Sequence, residues 1–85
     1  MKIIWDRPKR VANIAKHGLD FAALTEDFFA DALVIPATSG RYLAIGKDVN
    51  SVISVVFLTL GLEGISVISM RPASSKERRL YNAQS

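Results

Sequence analysis

The segment SVISVVFLT, residues 51–59, is apolar at almost every position and rich in β-branched side chains. A strand with one wet face alternates polar and apolar residues. A run without alternation is buried on both faces and belongs in the middle of a sheet. The wider stretch VISVVFLTLGL at 52–62 is about half a membrane span, and Ser54, Thr59 and Gly61 interrupt it, so no membrane association is expected. A central strand needs neighbouring strands and covering helices, and 85 residues supply these for a single domain, residues 1–85. A chain of this size hides only ~60–65% of the surface its unfolded form exposes, so a partner that covers apolar surface would help it.

The flanking segments read as the rest of such a domain. KIIW at 2–5 is a short β-branched strand. Asp6 is placed to cap a helix, with Pro8 in its first turn; Pro8 also pushes Arg7 toward an extended conformation, which would start the helix one residue late. Val11, Ile14 and Ala15 have the spacing of a buried stripe, Lys9, Asn13 and Lys16 fall on another face, and Gly18 ends the helix. Asp20 is expected to cap a second helix, FAALTEDFFADA, with Phe21, Leu24 and Phe28 inward and Glu26, Asp27 and Asp31 as a solvated face. Strands follow at LVIP (33–36), RYLAIGKD (41–48), 51–59 and ISVISMR (65–71), joined by turns at TSG, Asp48-Val49-Asn50 and GLEG. Ser74 and Glu77 form the S-x-x-E capping box of a last helix through Arg78, Arg79 and Tyr81. The order β-α-α-β-β-β-β-α, with successive strands on short turns, gives an α+β fold with a small antiparallel sheet.

Composition narrows the chemistry. With no cysteine and one histidine, thiolate metal sites are excluded and a zinc hydrolase site is not expected. There is no phosphate-cradling glycine motif, so no nucleotide cofactor is expected, and no nucleophile elbow. The lack of cysteine and of a signal-peptide core fits a soluble protein of the cytoplasm. Charge is uneven: residues 1–18 carry five cations and one carboxylate, residues 19–70 two cations and six carboxylates, residues 71–85 four cations and one carboxylate. If folding joins the two ends, they form one anion-seeking hollow around the fourth and fifth strands; otherwise they are ordinary solvated charge. A basic surface with one imidazole suits metal-free reaction on RNA. RNA holds its own nucleophile, the 2′-hydroxyl, beside the phosphorus, so a protein need only move protons and stabilise charge.

Trp5-Asp6, Lys9, Asn13, Lys16-His17-Gly18 and Phe21 form the pattern W-D-x-x-K-x-x-x-N-x-x-K-H-G-x-x-F. Phe29 with Asp31, Arg41 with Ile45-Gly46, Ile68-Ser69-Met70-Arg71-Pro72-Ala73, and Glu77-Arg78 with Tyr81 follow in order. The series resembles BrnT-type toxins over nearly the whole chain. The resemblance implies a RelE-like fold and a ribonuclease toxin of a type II toxin–antitoxin module. It also implies a cognate ribbon-helix-helix antitoxin, through which the complex binds operator DNA. The chain departs from the family pattern where Arg7 separates Asp6 from Pro8, where Ser39-Gly40 precede Arg41, and where Gly61 and Ser66 stand in places that are often basic.

Each candidate residue carries two readings. His17 ends a helix, where a cation suits the dipole, and its imidazole can also exchange protons near neutrality. Arg71 and Arg41 can hold a phosphate or make surface ion pairs, Arg71 with Glu77. Lys16 can bind phosphate or cap carbonyls. Lys9, Arg10, Arg78 and Arg79 are phosphate contacts or solvated charge, and Tyr81 stacks a base or packs on the sheet. The expectation is therefore a metal-independent, cofactor-free endoribonuclease with Lys16, His17, Arg41 and Arg71 at the scissile phosphate. Lys9, Arg10, Arg78, Arg79 and Tyr81 would grip the RNA. The rival readings are a nucleic-acid-binding module without catalysis, and an antitoxin-binding protein that regulates its own operon.

Overall fold

The apolar run becomes the middle of the sheet. The computed structural model describes residues 1–84 and contains β1 (Lys2–Trp5), β2 (Leu33–Pro36), β3 (Tyr42–Lys47), β4 (Val52–Leu60) and β5 (Gly64–Pro72). The strands lie in the order β1-β5-β4-β3-β2, with β4 at the centre. β2 to β5 form an antiparallel meander, and β1 lies parallel to β5. With α1 (Arg7–His17), α2 (Glu26–Asp31) and α3 (Ser75–Ala83), the architecture is α+β, as the patterning predicts. No helix among the described residues is long and apolar enough to cross a membrane.

The core sits on one face of the sheet. Register places Ala44 beside Val55, Val55 beside Met70, and Phe57 beside Val67, all buried. Val67 and Met70 are three residues apart, a spacing that strict alternation would send to opposite faces. A register shift at Val56/Phe57 absorbs the extra residue and turns both inward. Phe21 and Leu24 seal this face, with Ile3, Trp5, Phe28 and Phe29 packed around them. Gly46 is required here, because a Cβ would stand 2.9 Å from the Phe28 ring.

α1 differs from its expected placement in two ways. It starts at Arg7, not one residue late: the Asp6 side chain accepts from the Lys9 N–H at 3.3 Å and its carbonyl from the Arg10 N–H, which outweighs the bias that Pro8 imposes. Its inward face is also not the apolar stripe. Val11 and Ile14 are exposed, and the buried residue is Asn13. β1 ends opposite Val67, so β5 continues beyond it with an open edge. The Asn13 carboxamide fills the gap: it accepts from the Met70 N–H at 3.0 Å and donates to the carbonyls of Met70 (2.8 Å) and Leu19 (3.0 Å). Leaving these backbone groups without partners would cost more than exposing two apolar side chains.

The second helix is also divided. Asp20 caps only a 3₁₀ turn, Phe21–Ala23, and Thr25 caps α2 separately by accepting from the Phe28 N–H at 3.2 Å. Leu24 and Thr25 are extended between them. Arg10 grips Asp20 with two bonds of 2.7 and 2.9 Å, and this contact, with the Ala22 N–H, holds the Asp20 carboxyl down at about 2. Gly18 ends α1 with φ 69°, its N–H on the Ile14 carbonyl.

On the opposite face, α3 is fixed by Glu77. Its carboxylate receives Arg71 through two nitrogens (2.7 and 2.8 Å), the buried Ser54 hydroxyl (2.9 Å) and the Ser74 N–H (2.8 Å). Ser54 and Arg71 are register partners, so one side chain ties the helix start to both strands and completes the capping box. Arg71 contributes most to holding the Glu77 carboxyl down at about 2.

Asn13→Ala should destabilise the protein by about 2–3 kcal/mol in urea unfolding, since it orphans buried backbone groups. Glu77→Gln should be less stable than the parent at pH 7. The depressed Glu77 pKa contributes stability above the free carboxyl value of 4.5 and loses it as pH falls toward about 2, so the gap should close across that window. Denaturation curves at pH 7, 4 and 2.5 read this directly.

Candidate functional site

Because Asn13 pins α1 to β5, the residues one turn to either side stand at the rim of that contact. Lys9, Ala12, Asn13, Lys16 and His17 face Ile68 and Ser69 of β5 across a shallow cleft of about 210 Å³. Lys16 and His17 occupy the last turn of α1, where the negative end of the helix dipole favours cations. Among the described residues neither side chain makes a hydrogen bond or ion pair. Lys9 has only an exposed 4.0 Å contact with Asp6, of a kind worth little in water. Two lysines, an imidazole and a serine hydroxyl thus line one cleft, with Lys9 weakly paired and Lys16 and His17 not paired at all among the described residues. Such a group can attract a phosphodiester, neutralise charge and move a proton.

The other predicted residues are placed differently. Arg71 lies two residues beyond Ser69, on the same side of the sheet, but outside the cleft and bound to Glu77. Its Nη1 also reaches the Pro72 carbonyl, so Nε and one Nη2 hydrogen remain for a phosphate. Arg10 is held by Asp20. Arg41 precedes β3, four residues from Ile45, which stands in register with Ser54 and Arg71. Strand rise and spacing then put the Arg41 and Arg71 backbones about 16 Å apart. Arg78 folds back to the Ala73 carbonyl (3.1 Å) and the Ser75 hydroxyl (3.2 Å). Arg79 is exposed and unpaired among the described residues. Tyr81 lines a separate groove beside Leu24, Phe28 and Met70. The two basic chain ends therefore do not merge into one hollow; Lys9, Lys16 and His17 share the cleft, and the α3 cations lie outside it.

Two residues of this site had no role assigned from sequence. Asn13 positions the whole cationic face. Ser69 shares the cleft with His17, on the part of β5 that continues beyond the end of β1. Asn13 could have been found: a polar side chain midway between Lys9 and Lys16 on one helix face is the natural partner of an open strand edge. At the departures from family pattern, Ser66 pairs with Ile4 and Leu58, so that part of the sheet face is apolar where a cation would extend the basic surface. No group of three or more His, Cys, Asp or Glu side chains among the described residues is arranged to hold a metal ion.

Residues 5–77 match the family described as the ribonuclease toxin, BrnT, of type II toxin–antitoxin systems. The fold superposes on the 1.1 Å crystal structure of the Brucella abortus ribonuclease toxin BrnT with a TM-score of 0.82 and 55% sequence identity, covering 88% of this chain and 99% of that one. No curated protein matches the chain. On the family match over most of the chain and the 55% identity to a solved member, the chain belongs to the BrnT family of ribonuclease toxins of type II toxin–antitoxin systems.

Proposed function

We propose that the protein cuts RNA without a metal at the α1–β5 cleft and is neutralised by a ribbon-helix-helix antitoxin, through which the complex reaches operator DNA. The observation that carries this reading is the cleft that Lys9, Lys16 and His17 share with Ser69, in which, among the described residues, Lys16 and His17 have no ion-pair partner and Lys9 has only its long contact with Asp6. Two flanking lysines also disfavour a divalent cation beside His17. His17 takes the proton of the 2′-hydroxyl as that oxygen attacks the phosphorus. Lys16 stabilises the extra charge on the phosphorane and protonates the departing 5′-oxygen. The products are a 2′,3′-cyclic phosphate and a 5′-hydroxyl. Lys9 holds the neighbouring phosphate, and Arg71 offers its remaining hydrogens while Glu77 fixes its plane. Arg41, Arg78 and Arg79 lie farther out and meet more distant nucleotides, whereas Tyr81, set in the separate groove, takes no part in RNA binding. The site of action is the cytoplasm, where messenger RNA and the antitoxin are found.

A second reading, RNA and antitoxin binding without turnover, is favoured by one set of observations: Arg10 and Arg71 are occupied by carboxylates, and Gly61 and Ser66 carry no charge. Antitoxin-free protein in EDTA separates the two. The enzyme should release cyclic-phosphate ends. His17→Gln should slow cleavage by about 10²–10⁴ with RNA affinity unchanged. Lys9→Ala with Lys16→Ala should weaken binding and lower its salt dependence by about one to two released ions. Full cleavage by His17→Gln would remove the cleft from the mechanism. Salt-dependent binding with intact RNA would establish the second reading.

A further inference from the structure

The larger groove, of about 730 Å³, opens between α2 and the β3–β4 turn. Its floor is apolar, formed by Leu24, Phe28, Met70 and the ring of Tyr81. Its rim is acidic: Asp27 and Asp31 of α2 and Asp48 of the turn line it, against Lys47. This is the reverse of the molecule as a whole, whose net charge is +3. Asp27 and Asp31 are one helical turn apart, a like-charge spacing that weakens a helix, and neither makes an ion pair among the described residues. Val49 stands at the mouth of the groove, 99% exposed.

An apolar floor within an acidic rim whose carboxylates make no ion pair among the described residues, Asp48 using one oxygen to accept the Asn50 and Ser51 N–H groups, is complementary to an apolar side chain flanked by lysine or arginine. RNA does not fit, since its phosphates would meet the carboxylates. From this complementarity we infer that the groove is where a basic amphipathic segment of the antitoxin docks, one apolar side chain on the Phe28–Met70 floor and its cations on Asp27, Asp31 and Asp48. The inference rests on the toxin reading above and adds a location for the partner. That location is a cavity distinct from the α1–β5 cleft, so the antitoxin grips the toxin through a surface that carries none of the proposed catalytic groups.

The test is calorimetric titration of the purified toxin with the protein encoded by its neighbouring antitoxin gene. Asp27→Lys with Asp31→Lys should weaken binding at least a hundredfold. The Asn pair at the same positions should weaken it about tenfold, and both variants should retain the parent's RNA cleavage rate, which also reports their folding. Lys9→Glu with Lys16→Glu should keep antitoxin affinity. Unchanged affinity in the Asp variants overturns the inference, as does a toxin self-association that those variants abolish. If the parent binds no antitoxin at all, the toxin reading itself fails; if the parent binds and the groove variants bind equally, only the docking site fails.

Discussion

The structure depends on one carboxamide. Asn13 meets a strand edge that β1 leaves uncovered, and it does so with the same donor and acceptor pair that another strand would offer. This sets the rotation of α1 about its axis. Once that rotation is set, Lys9, Lys16 and His17 lie along β5, and Val11 and Ile14 face outward. The hydrophobic effect packs the sheet against Phe21 and Leu24, but it does not orient α1. A specific hydrogen-bonded contact decides which residues of α1 become surface and which become site.

Charge is organised by pairing as much as by clustering. Two of the arginines that belong to the basic chain ends, Arg10 and Arg71, are bound to Asp20 and Glu77 in bidentate contacts. Each joins elements that the backbone leaves separate: α1 to the segment before the 3₁₀ turn, and β5 to α3. Formal charge therefore overstates the field available to a polyanion. The usable positive potential comes from Lys9, Lys16 and His17 on α1 and from scattered exposed lysines and arginines elsewhere. Three of the six carboxylates of the acidic middle, Asp27, Asp31 and Asp48, lie elsewhere, around an apolar groove.

Much of the fold was legible because the signals are local. The unalternating run gave the central strand, the turn residues gave the meander, and the S-x-x-E box of α3 has both of its bonds in place. Features set by distant partners were not legible. The stripe Val11-Ile14-Ala15 has the spacing of a buried face, yet the decisive contact of α1 is with Met70, far along the chain. The segment 21–32 has helical composition, but Thr25 satisfies a new helix start better than it continues an old one, and Phe21 and Leu24 reach the core from a tighter turn. The shift at Val56/Phe57 cannot be seen in either strand alone, since it belongs to their pairing. In the candidate site, Lys16 and His17 were legible from their motif. The ion pair of Arg71 with Glu77 was one of the two readings its sequence position allowed, and only the three-dimensional neighbours chose it and placed Arg71 outside the cleft.

The Asn13 bond to Met70 joins residues separated by 57 positions, and the strand parallel to β5 is the first of the chain. Synthesis delivers α1 early and β5 late, and loop closure over such a distance is slow compared with forming a single hairpin. A nascent chain that already carries Lys16 and His17 consequently has no opposite wall for them. The cleft between α1 and β5 therefore exists only once most of the chain has been made.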